Sequence, residues 1–202
     1  KIALDSIVTE GSVANIRQLY DGRALFALVQ NDVARNAHAG RGRFAGSPQP
    51  ELRAVASLFP EAVHLVVRAG SGITGVADLK GKRVELGSDG SGTRANALAI
   101  LNVSGIAVET LAAAGRAPLP EAARALAEGR VDALFATIHA PARELQGLAA
   151  GTAVALVPIG EQPTGDPGAA ASGATAPAAT TPPPNVSPTQ MWDRVYAVYT
   201  AG

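Results

Sequence analysis

The chain has 202 residues, of which 47% are hydrophobic, and its 17 lysines and arginines balance 17 aspartates and glutamates. This composition excludes a largely disordered protein, and a chain without net charge has no electrostatic reason to bind nucleic acid. The absence of cysteine excludes thiol catalysis, disulfide bonds and cysteine metal sites, and the three histidines lie at no metal-ligand spacing, so we expect neither a metal site nor a cofactor.

The first part of the chain alternates short β-branched runs with helical patterns. In chain order it predicts a strand at Ile2–Val8, a helix from an N-cap at Ser12 to Gly22, a strand at Leu25–Val29, a short helix from Asn31, and strands at Leu52–Ser57 and Val63–Val67. No apolar run approaches the roughly 20 residues that a membrane-spanning helix needs.

The same alternation begins again after a turn at Ser71–Ile73. In chain order it predicts a strand at Arg83–Leu86, a helix that follows Gly87–Thr93 and ends near Asn102, a helix at Pro120–Glu128, a strand at Val131–Ala136, a helix at Pro141–Ala149 and a strand at Val154–Val157. Strands that alternate with helices favour parallel β-α-β units. We therefore predict two α/β lobes, each with helices on both faces of its sheet.

The composition changes after this second lobe. Residues 159–190 contain no aromatic residue and only two charged ones, Glu161 and Asp166. Such a segment cannot bury enough apolar surface to offset its chain entropy, so we expect it to be flexible. Aromatic and apolar residues then recur at helical spacing over Met191–Thr200, which predicts a helix that packs back on the α/β body.

Three strand-to-helix turns carry polar side chains that suit a ligand. The glycine-rich turn Gly87–Thr93 opens a helix, whose free N–H groups favour an anion, and Ser88, Ser91 and Thr93 add hydroxyls. Its spacing is neither that of a phosphate loop nor that of a dinucleotide fingerprint. An ordinary capped turn is the alternative interpretation.

The other two turns are Gly11–Ser12 and Gln30–Asp32. Simple helix capping by Ser12 and Asp32 is the alternative at both turns. All three turns nevertheless lie at carboxyl ends of predicted strands, where open α/β sheets bind their ligands.

Two histidines complete the candidates. His64 lies in a strand of alternating apolar residues and suits a half-buried position, whereas His139 follows Thr137 at the carboxyl end of a strand. No serine stands in the Gly-x-Ser-x-Gly frame of a nucleophile elbow. We therefore expect no catalytic residue.

These segments, in this order, resemble the solute-binding subunits of TRAP transporters, in particular the TAXI subfamily. Gly11–Ile16 is similar to that family's Gly-Ser-Val-x-Asn-Leu helix start, and Gln30–Ala34 to its Gln-Ser-Asp-Val-Ala turn. Leu52–Arg68 is similar to the strand pair that enters the hinge, and Gly90–Thr93 to the opening of the second lobe. Gly129–Ala133 matches a later Gly-x-Ile-Asp-Ala strand.

The resemblance implies a type 2 periplasmic binding protein, with two three-layer α/β lobes and a ligand cleft between them. Lobe 1 would comprise residues 1–67, without the family's amino-terminal strand, and lobe 2 residues 68–158. Residues 159–187 would be the flexible segment, and residues 188–202 the helix that returns to lobe 1.

The implied function is non-enzymatic. A small anionic solute, such as glutamate or a dicarboxylate, would be captured outside the cytoplasm and delivered to the membrane subunits of a TRAP transporter. The protein would then be exported by means of a signal peptide, which is absent from this sequence. Two other functions remain open: an enzyme on the same fold, prephenate dehydratase-like or phosphoribosyltransferase-like, and a sensory or scaffold domain without transport.

The residues expected to bind the solute lie in the three turns and at nearby strand ends. They are Ser12, Val13, Asn15, Gln30, Asp32, His64, Ser88, Ser91, Gly92, Thr93, Thr137 and His139.

Overall fold

The computed structural model describes Ala3, residues 5–160 and the backbone of Asp193–Thr200. The described helices are α1 (Ser12–Tyr20), α2 (Asn31–His38), α3 (Gly92–Val103), α4 (Leu119–Ala127) and α5 (Arg143–Gly151), with short 3-10 turns at Gly42–Phe44, Val76–Leu79 and Val108–Thr110. The described strands are β1 (Ala27–Gln30), β2 (Leu52–Arg68), β3 (Arg83–Glu85), β4 (Ala113–Gly115), β5 (Ala133–Ile138), β6 (Val154–Val157) and β7 (Asp193–Thr200).

The long strand β2 takes part in two groups of strands. Its first part, Leu52–Glu61, pairs antiparallel with β7, which also pairs antiparallel with β1. Its second part, Ala62–Arg68, pairs antiparallel with β5 and β6, and β3 lies parallel to both β5 and β4. The strand order is β1-β7-β2-β5-β3-β4, with β6 beside β2. The predicted α/β class is confirmed.

Residues of β5 alternate between two hydrophobic cores. Ala133 and Phe135 join the core that contains α3, whereas Leu134 and Ala136 join the core that contains α4 and α5. Because successive side chains of a strand face opposite sides of the sheet, helices cover both faces here, as the sequence predicts. A third core packs α1 and α2 against β1.

A two-sided contact between Arg83 and Asp132 joins the starts of β3 and β5. The Arg83 guanidinium donates to the two carboxylate oxygens of Asp132 at 2.6 and 3.1 Å, and the Arg83 N–H donates at 2.8 Å. The Asp132 N–H in turn donates to the Arg83 carbonyl at 2.8 Å. The hydrogen bond from the Arg83 side chain is the main cause that lowers the pKa of Asp132.

We expect the stability that Asp132 contributes to depend on pH. Because its pKa is lower in the folded chain, this stability is complete above the ordinary aspartate value of 3.8 and is lost as the pH falls through the lowered pKa. The Asp132→Asn variant should therefore unfold more easily at neutral pH, and its deficit should shrink in acid. Urea unfolding at a series of pH values measures this, with Asp21→Asn as a surface control. A deficit that stays constant from neutral pH into acid would contradict it.

The helix predicted at the end of the chain is wrong. Asp193–Thr200 forms the strand β7, which lies between β1 and β2 and returns the chain to the first lobe. The valines and tyrosines of this segment recur at helical spacing, but these residue types also favour strands. The neighbouring strands β1 and β2 supply hydrogen-bond partners for its backbone on both sides. The predicted flexible segment falls, from Glu161 onward, outside the described residues.

Two other expectations at the strands differ from the structure. The described residues of Ile2–Val8 form no strand, and Ile7 and Val8 are 53% and 94% exposed, since no neighbouring strand covers them. The two strands predicted between Leu52 and Val67 form one continuous strand, β2. Proline lacks an N–H group and is tolerated at the edge of a sheet, and at Pro60 the strand β2 pairs with β7 alone among the described strands.

The change of pairing partner within β2, between Glu61 and Ala62, precedes the lobe boundary expected after Val67. The short strand β4 was not predicted, because its three residues are alanine and glycine. Among the described helices, the longest has 12 residues, and none has the length and apolar character that crossing a membrane requires.

Candidate functional site

The amino-terminal ends of α1 and α3 meet at the junction of the two lobes. The Ala14 N–H donates to the Gly90 carbonyl at 3.0 Å, and the Gly90 N–H donates to the Glu10 carboxylate at 2.9 Å. These reciprocal bonds connect the start of α1 with the turn before α3. Two helix starts, each with a partial positive charge, therefore lie side by side.

Glycine permits this close approach. Gly11, just before α1, has φ 131°, which favours glycine, and a Cβ there would lie 3.1 Å from the Ser91 Cα. A Cβ on Gly92 would lie 1.6 Å from the Gln30 Oε1, much closer than any real contact. The start of α3 therefore packs directly on the Gln30 amide.

Both helices begin with unused backbone donors. The first N–H groups of a helix have no partner within it. In the described part of the chain, the N–H groups of Ser12 and Val13 in α1, and of Gly92 and Thr93 in α3, donate no hydrogen bond. These four N–H groups therefore have no acceptor among the described residues.

A cavity of about 260 Å³ opens at these helix starts. Seven of the predicted residues line it: Ser12, Asn15, Gln30, Ser91, Gly92, Thr93 and Thr137. The structure therefore brings together parts of all three predicted turns and the end of β5. The size of the cavity suits a small organic solute.

The cavity also has walls that the sequence analysis missed, formed by Glu10, Gly11, Leu28, Phe59 and Glu61. Glu10 directly precedes the Gly11–Ser12 turn, and this position next to a predicted ligand-binding turn could have identified it as a candidate. Phe59 and Glu61 flank Pro60. The sequence analysis predicted that both lie in a connection between two strands, because the apolar pattern is interrupted at this proline. Two carboxylates and no lysine, arginine or histidine therefore line this cavity among the described residues.

Gln30 is the most constrained polar residue of the site. It is 5% exposed; its N–H donates to the Ser12 Oγ at 3.1 Å, and its Nε2 donates to the Glu61 carboxylate at 2.8 Å. Its Oε1 is buried and accepts no hydrogen bond from the residues that the structure describes. Ser12 is thus the first residue of α1 and holds Gln30, rather than capping the helix as predicted.

The hydroxyls of the second lobe hold backbone groups of their own lobe. The Ser91 Oγ caps α3 by accepting from the Arg94 N–H at 3.1 Å, and it donates to the Ser88 carbonyl at 2.7 Å. The Thr93 Oγ1 accepts from the Thr137 N–H at 3.1 Å and so ties α3 to β5. Ser91 is thus used both as donor and as acceptor, whereas the Thr93 O–H donates no hydrogen bond within the described residues and adds to the free backbone N–H groups.

Arg94 stabilises the Gly87–Thr93 turn through its buried side chain. Its guanidinium is buried; it donates to the Gly87 and Gly115 carbonyls at 3.3 and 2.9 Å and lies 3.2 Å from the Asp89 carboxylate. Arg116 pairs with the same carboxylate at 2.8 Å and, through that hydrogen bond, lowers the pKa of Asp89. Arg94 therefore fixes the Gly87–Thr93 turn and does not line the cavity.

Five predicted residues do not line the cavity. Val13 lies in the core of the first lobe, although its N–H belongs to the helix start. Asp32 lies in the first turn of α2, where Gln30 is the N-cap, and accepts from the Val33 N–H at 2.6 Å. His64 lies on β2, and its Nδ1 is 3.4 Å from the Ala136 carbonyl. The last two are Ser88, which is buried, and His139, which is exposed.

A second cavity, of about 320 Å³, lies beside α4 and contains none of the predicted residues. Two of its charged side chains have partners nearby: Glu85 accepts from the Ala117 N–H at 3.0 Å, and Arg130 pairs with Glu128 at 2.6 Å. Within the described ranges, no group of three or more histidines and carboxylates is placed to hold a metal ion.

Comparison with known proteins agrees with this architecture. Residues 1–189 match the NMT1-like family. Among solved structures, the chain is similar to the periplasmic aliphatic sulphonate binding protein SsuA of Escherichia coli, with a TM-score of 0.57 and 17% identity over 95% of this chain and 53% of that one.

Two further solved structures are similar. One is the alkanesulfonate-binding protein SsuA of Xanthomonas axonopodis pv. citri bound to MOPS, with a TM-score of 0.52 and 24% identity over 74% of this chain and 48% of that one. The other is the arginine-, lysine-, histidine-binding protein ArtJ of Geobacillus stearothermophilus, with a TM-score of 0.53 and 13% identity over 95% of this chain and 63% of that one.

At these identities the likeness shows the fold alone, and the chain spans about half to two thirds of the length of these proteins. The predicted fold, that of a two-lobed type 2 periplasmic binding protein, is confirmed.

Proposed function

Because the chain belongs to the NMT1-like family, we propose that it is an extracytoplasmic solute-binding protein that captures a small anionic solute between its lobes. The observation that carries this proposal is the meeting of two helix starts at one cavity, where the backbone N–H groups of three lining residues, Ser12, Gly92 and Thr93, donate no hydrogen bond within the described chain. An anion at a helix start gains both from these donors and from the helix dipole.

Binding without chemistry fits the side chains of the cavity. The hydroxyls of Ser12, Ser91 and Thr93 accept hydrogen bonds from backbone N–H groups, and none is paired with a base that would activate it. The similar solved proteins are also named for the solutes that they bind, which are sulfonates and basic amino acids. This supports a binding protein over the enzyme alternative.

The proposed partner is the membrane part of a TRAP transporter, on the strength of the TAXI-like segments at Gly11–Ile16, Gln30–Ala34 and Gly129–Ala133. The gene neighbourhood tests this part. Adjacent genes for a large and a small membrane subunit would support it, whereas genes for a permease and an ATPase would indicate ABC-type uptake. Neighbours without any transporter gene would favour the sensory alternative.

Small acids should stabilise the folded chain. A ligand at a hundred times its dissociation constant adds roughly 2.7 kcal/mol to the free energy of unfolding, which is enough to raise the melting temperature measurably. We expect such a rise in thermal scans with L-glutamate, 2-oxoglutarate or ethanesulfonate, and none with glucose. Stabilisation by glucose but by no acid, or by none of these compounds, would refute the proposal.

The Asn15→Asp variant tests whether the bound solute is negatively charged. Asn15 lines the cavity in the first turn of α1, and its Nδ2 donates to the Leu28 carbonyl at 2.8 Å. A carboxylate of the same shape should weaken the binding of any stabilising acid by about tenfold through repulsion. Calorimetric titration measures this, with Asn102→Asp on the exposed end of α3 as the matched control.

A further inference from the structure

The cavity beside α4 has a buried carboxylate in its wall. Glu85 is the last residue of β3, is 9% exposed and lines this cavity of about 320 Å³. Its side chain lies over Gly115 of the neighbouring strand β4, where any Cβ would overlap the carboxylate. The Ala117 N–H donates to its Oε2 at 3.0 Å. The fold thus holds this carboxylate in a fixed position at the cavity.

The Glu85 carboxylate has no cationic partner among the described residues. The buried Arg94, which donates to the Gly115 carbonyl, forms its ion pair with Asp89 at 3.2 Å and none with Glu85. Both oxygens of a carboxylate accept hydrogen bonds, and the Glu85 Oε1 accepts none from the described residues. A buried charge without an opposite charge is unfavourable. A ligand that brings a positively charged donor to Glu85 would remove this cost.

The exposed rim of the same cavity provides the opposite charge. Arg124 on α4 lines the cavity, and its guanidinium makes no hydrogen bond or ion pair with the described residues. Arg130, the other cation of the wall, pairs with Glu128 at 2.6 Å. The planar fork of a guanidinium matches the two oxygens of a carboxylate. Arg124 is therefore the group of this wall that suits the acid end of a ligand.

A ligand with charge of one sign does not fit this wall. A plain acid would meet the carboxylates of Glu85 and Glu121, and a plain amine would meet Arg124. A zwitterion places each of its charges against the opposite one. Ala117 and Ala125 add small apolar surfaces to the lining, which suit a short hydrocarbon side chain.

We propose that this cavity is a second binding site, for an α-amino acid with a short apolar side chain, whose ammonium group binds Glu85 and whose carboxylate binds Arg124. The site lies apart from the cavity at the helix starts, because the two cavities share no lining residue. The inference therefore does not depend on which solute binds at the helix starts.

Calorimetric titration of the whole chain with L-valine tests this. N-acetyl-L-valine lacks the ammonium group and L-valinamide lacks the carboxylate, so we expect each to bind at least about tenfold more weakly than L-valine. Glu85→Gln and Arg124→Gln should each weaken the binding of L-valine by at least about tenfold. Glu109→Gln and Arg17→Gln, at exposed positions outside the cavity, are the matched controls and should leave this binding unchanged.

Melting curves confirm that each variant is folded, and Arg124 is exposed, so its variant keeps the test available if Glu85→Gln does not fold. Absence of binding up to about 10 mM L-valine would overturn this inference. Unchanged affinity for L-valine in both cavity variants would also overturn it, because the amino acid would then bind elsewhere. Neither result affects the proposed function, since these variants change no residue of the cavity at the helix starts.

Discussion

The Gly92→Ala variant is expected to fold but to lose solute binding, with an affinity at least about a hundredfold lower. The added methyl group would occupy a position 1.6 Å from the Gln30 Oε1 and 2.4 Å from its Cδ. Because the Gln30 Nε2 is held by Glu61, the amide has to break that bond or the lobes have to separate. Either change disrupts the cavity at the junction of the two helix starts. Calorimetry with an acid that stabilises the wild-type chain measures the effect.

The matched control is Gly147→Ala in α5. A Cβ there meets no atom within 4 Å, so alanine should raise the free energy of unfolding by about 0.5–1 kcal/mol and leave binding unchanged. A double-mutant cycle identifies the cause: in a Gln30→Ala background, Gly92→Ala should weaken binding little further, because the clashing amide is gone. Wild-type affinity in Gly92→Ala would show that the lobes do not approach as described.

The second large effect is expected from Leu134→Ala, which should lower the free energy of unfolding by about 2–5 kcal/mol. Leu134 is 0% exposed and lies on β5 in the core shared with α4 and α5. Both sides of this strand are covered, so the structure can close little of the space that the lost side chain leaves. Leu156→Ala on β6 is the matched control, since that leucine is 65% exposed and should change stability by less than about 1 kcal/mol. Equal losses in urea unfolding would contradict this assignment of the core.

The sequence by itself determined most of the elements and the place of the candidate site. The helix after Gly87–Thr93 and the strands at Arg83–Leu86 and Val154–Val157 are found within a residue or two of their predicted positions, because such elements follow from the periodicity of neighbouring residues. The turns at Gln30 and Ser91 follow the strands β1 and β3 and meet at one cavity, as expected from the rule that α/β sheets bind ligands at the carboxyl ends of their strands, whereas no described strand precedes the turn at Ser12.

Only the tertiary structure decided which atoms of the site remain free. Sequence analysis favoured the hydroxyls of Ser91 and Thr93, yet Ser91 is used both as donor and as acceptor, and Thr93 accepts from a backbone N–H. Among the described residues, the groups without a partner are backbone N–H groups at the helix starts, the Thr93 O–H and the Gln30 Oε1. The direction of the Gln30 amide depends on Glu61, 31 residues away, and the contact of the lobes depends on Glu10 and Gly90, 80 residues apart.

The end of the chain shows the same dependence on distant residues. Asp193–Thr200 is a strand because β1 and β2 leave a place between them, although its own residues also fit a helix. The periodicity of residue types within a segment reflects only interactions between residues that are close in sequence. Strand pairing, the direction of an amide and the approach of two helix starts are hydrogen-bonded arrangements between distant segments, so they are decided only when the chain has folded.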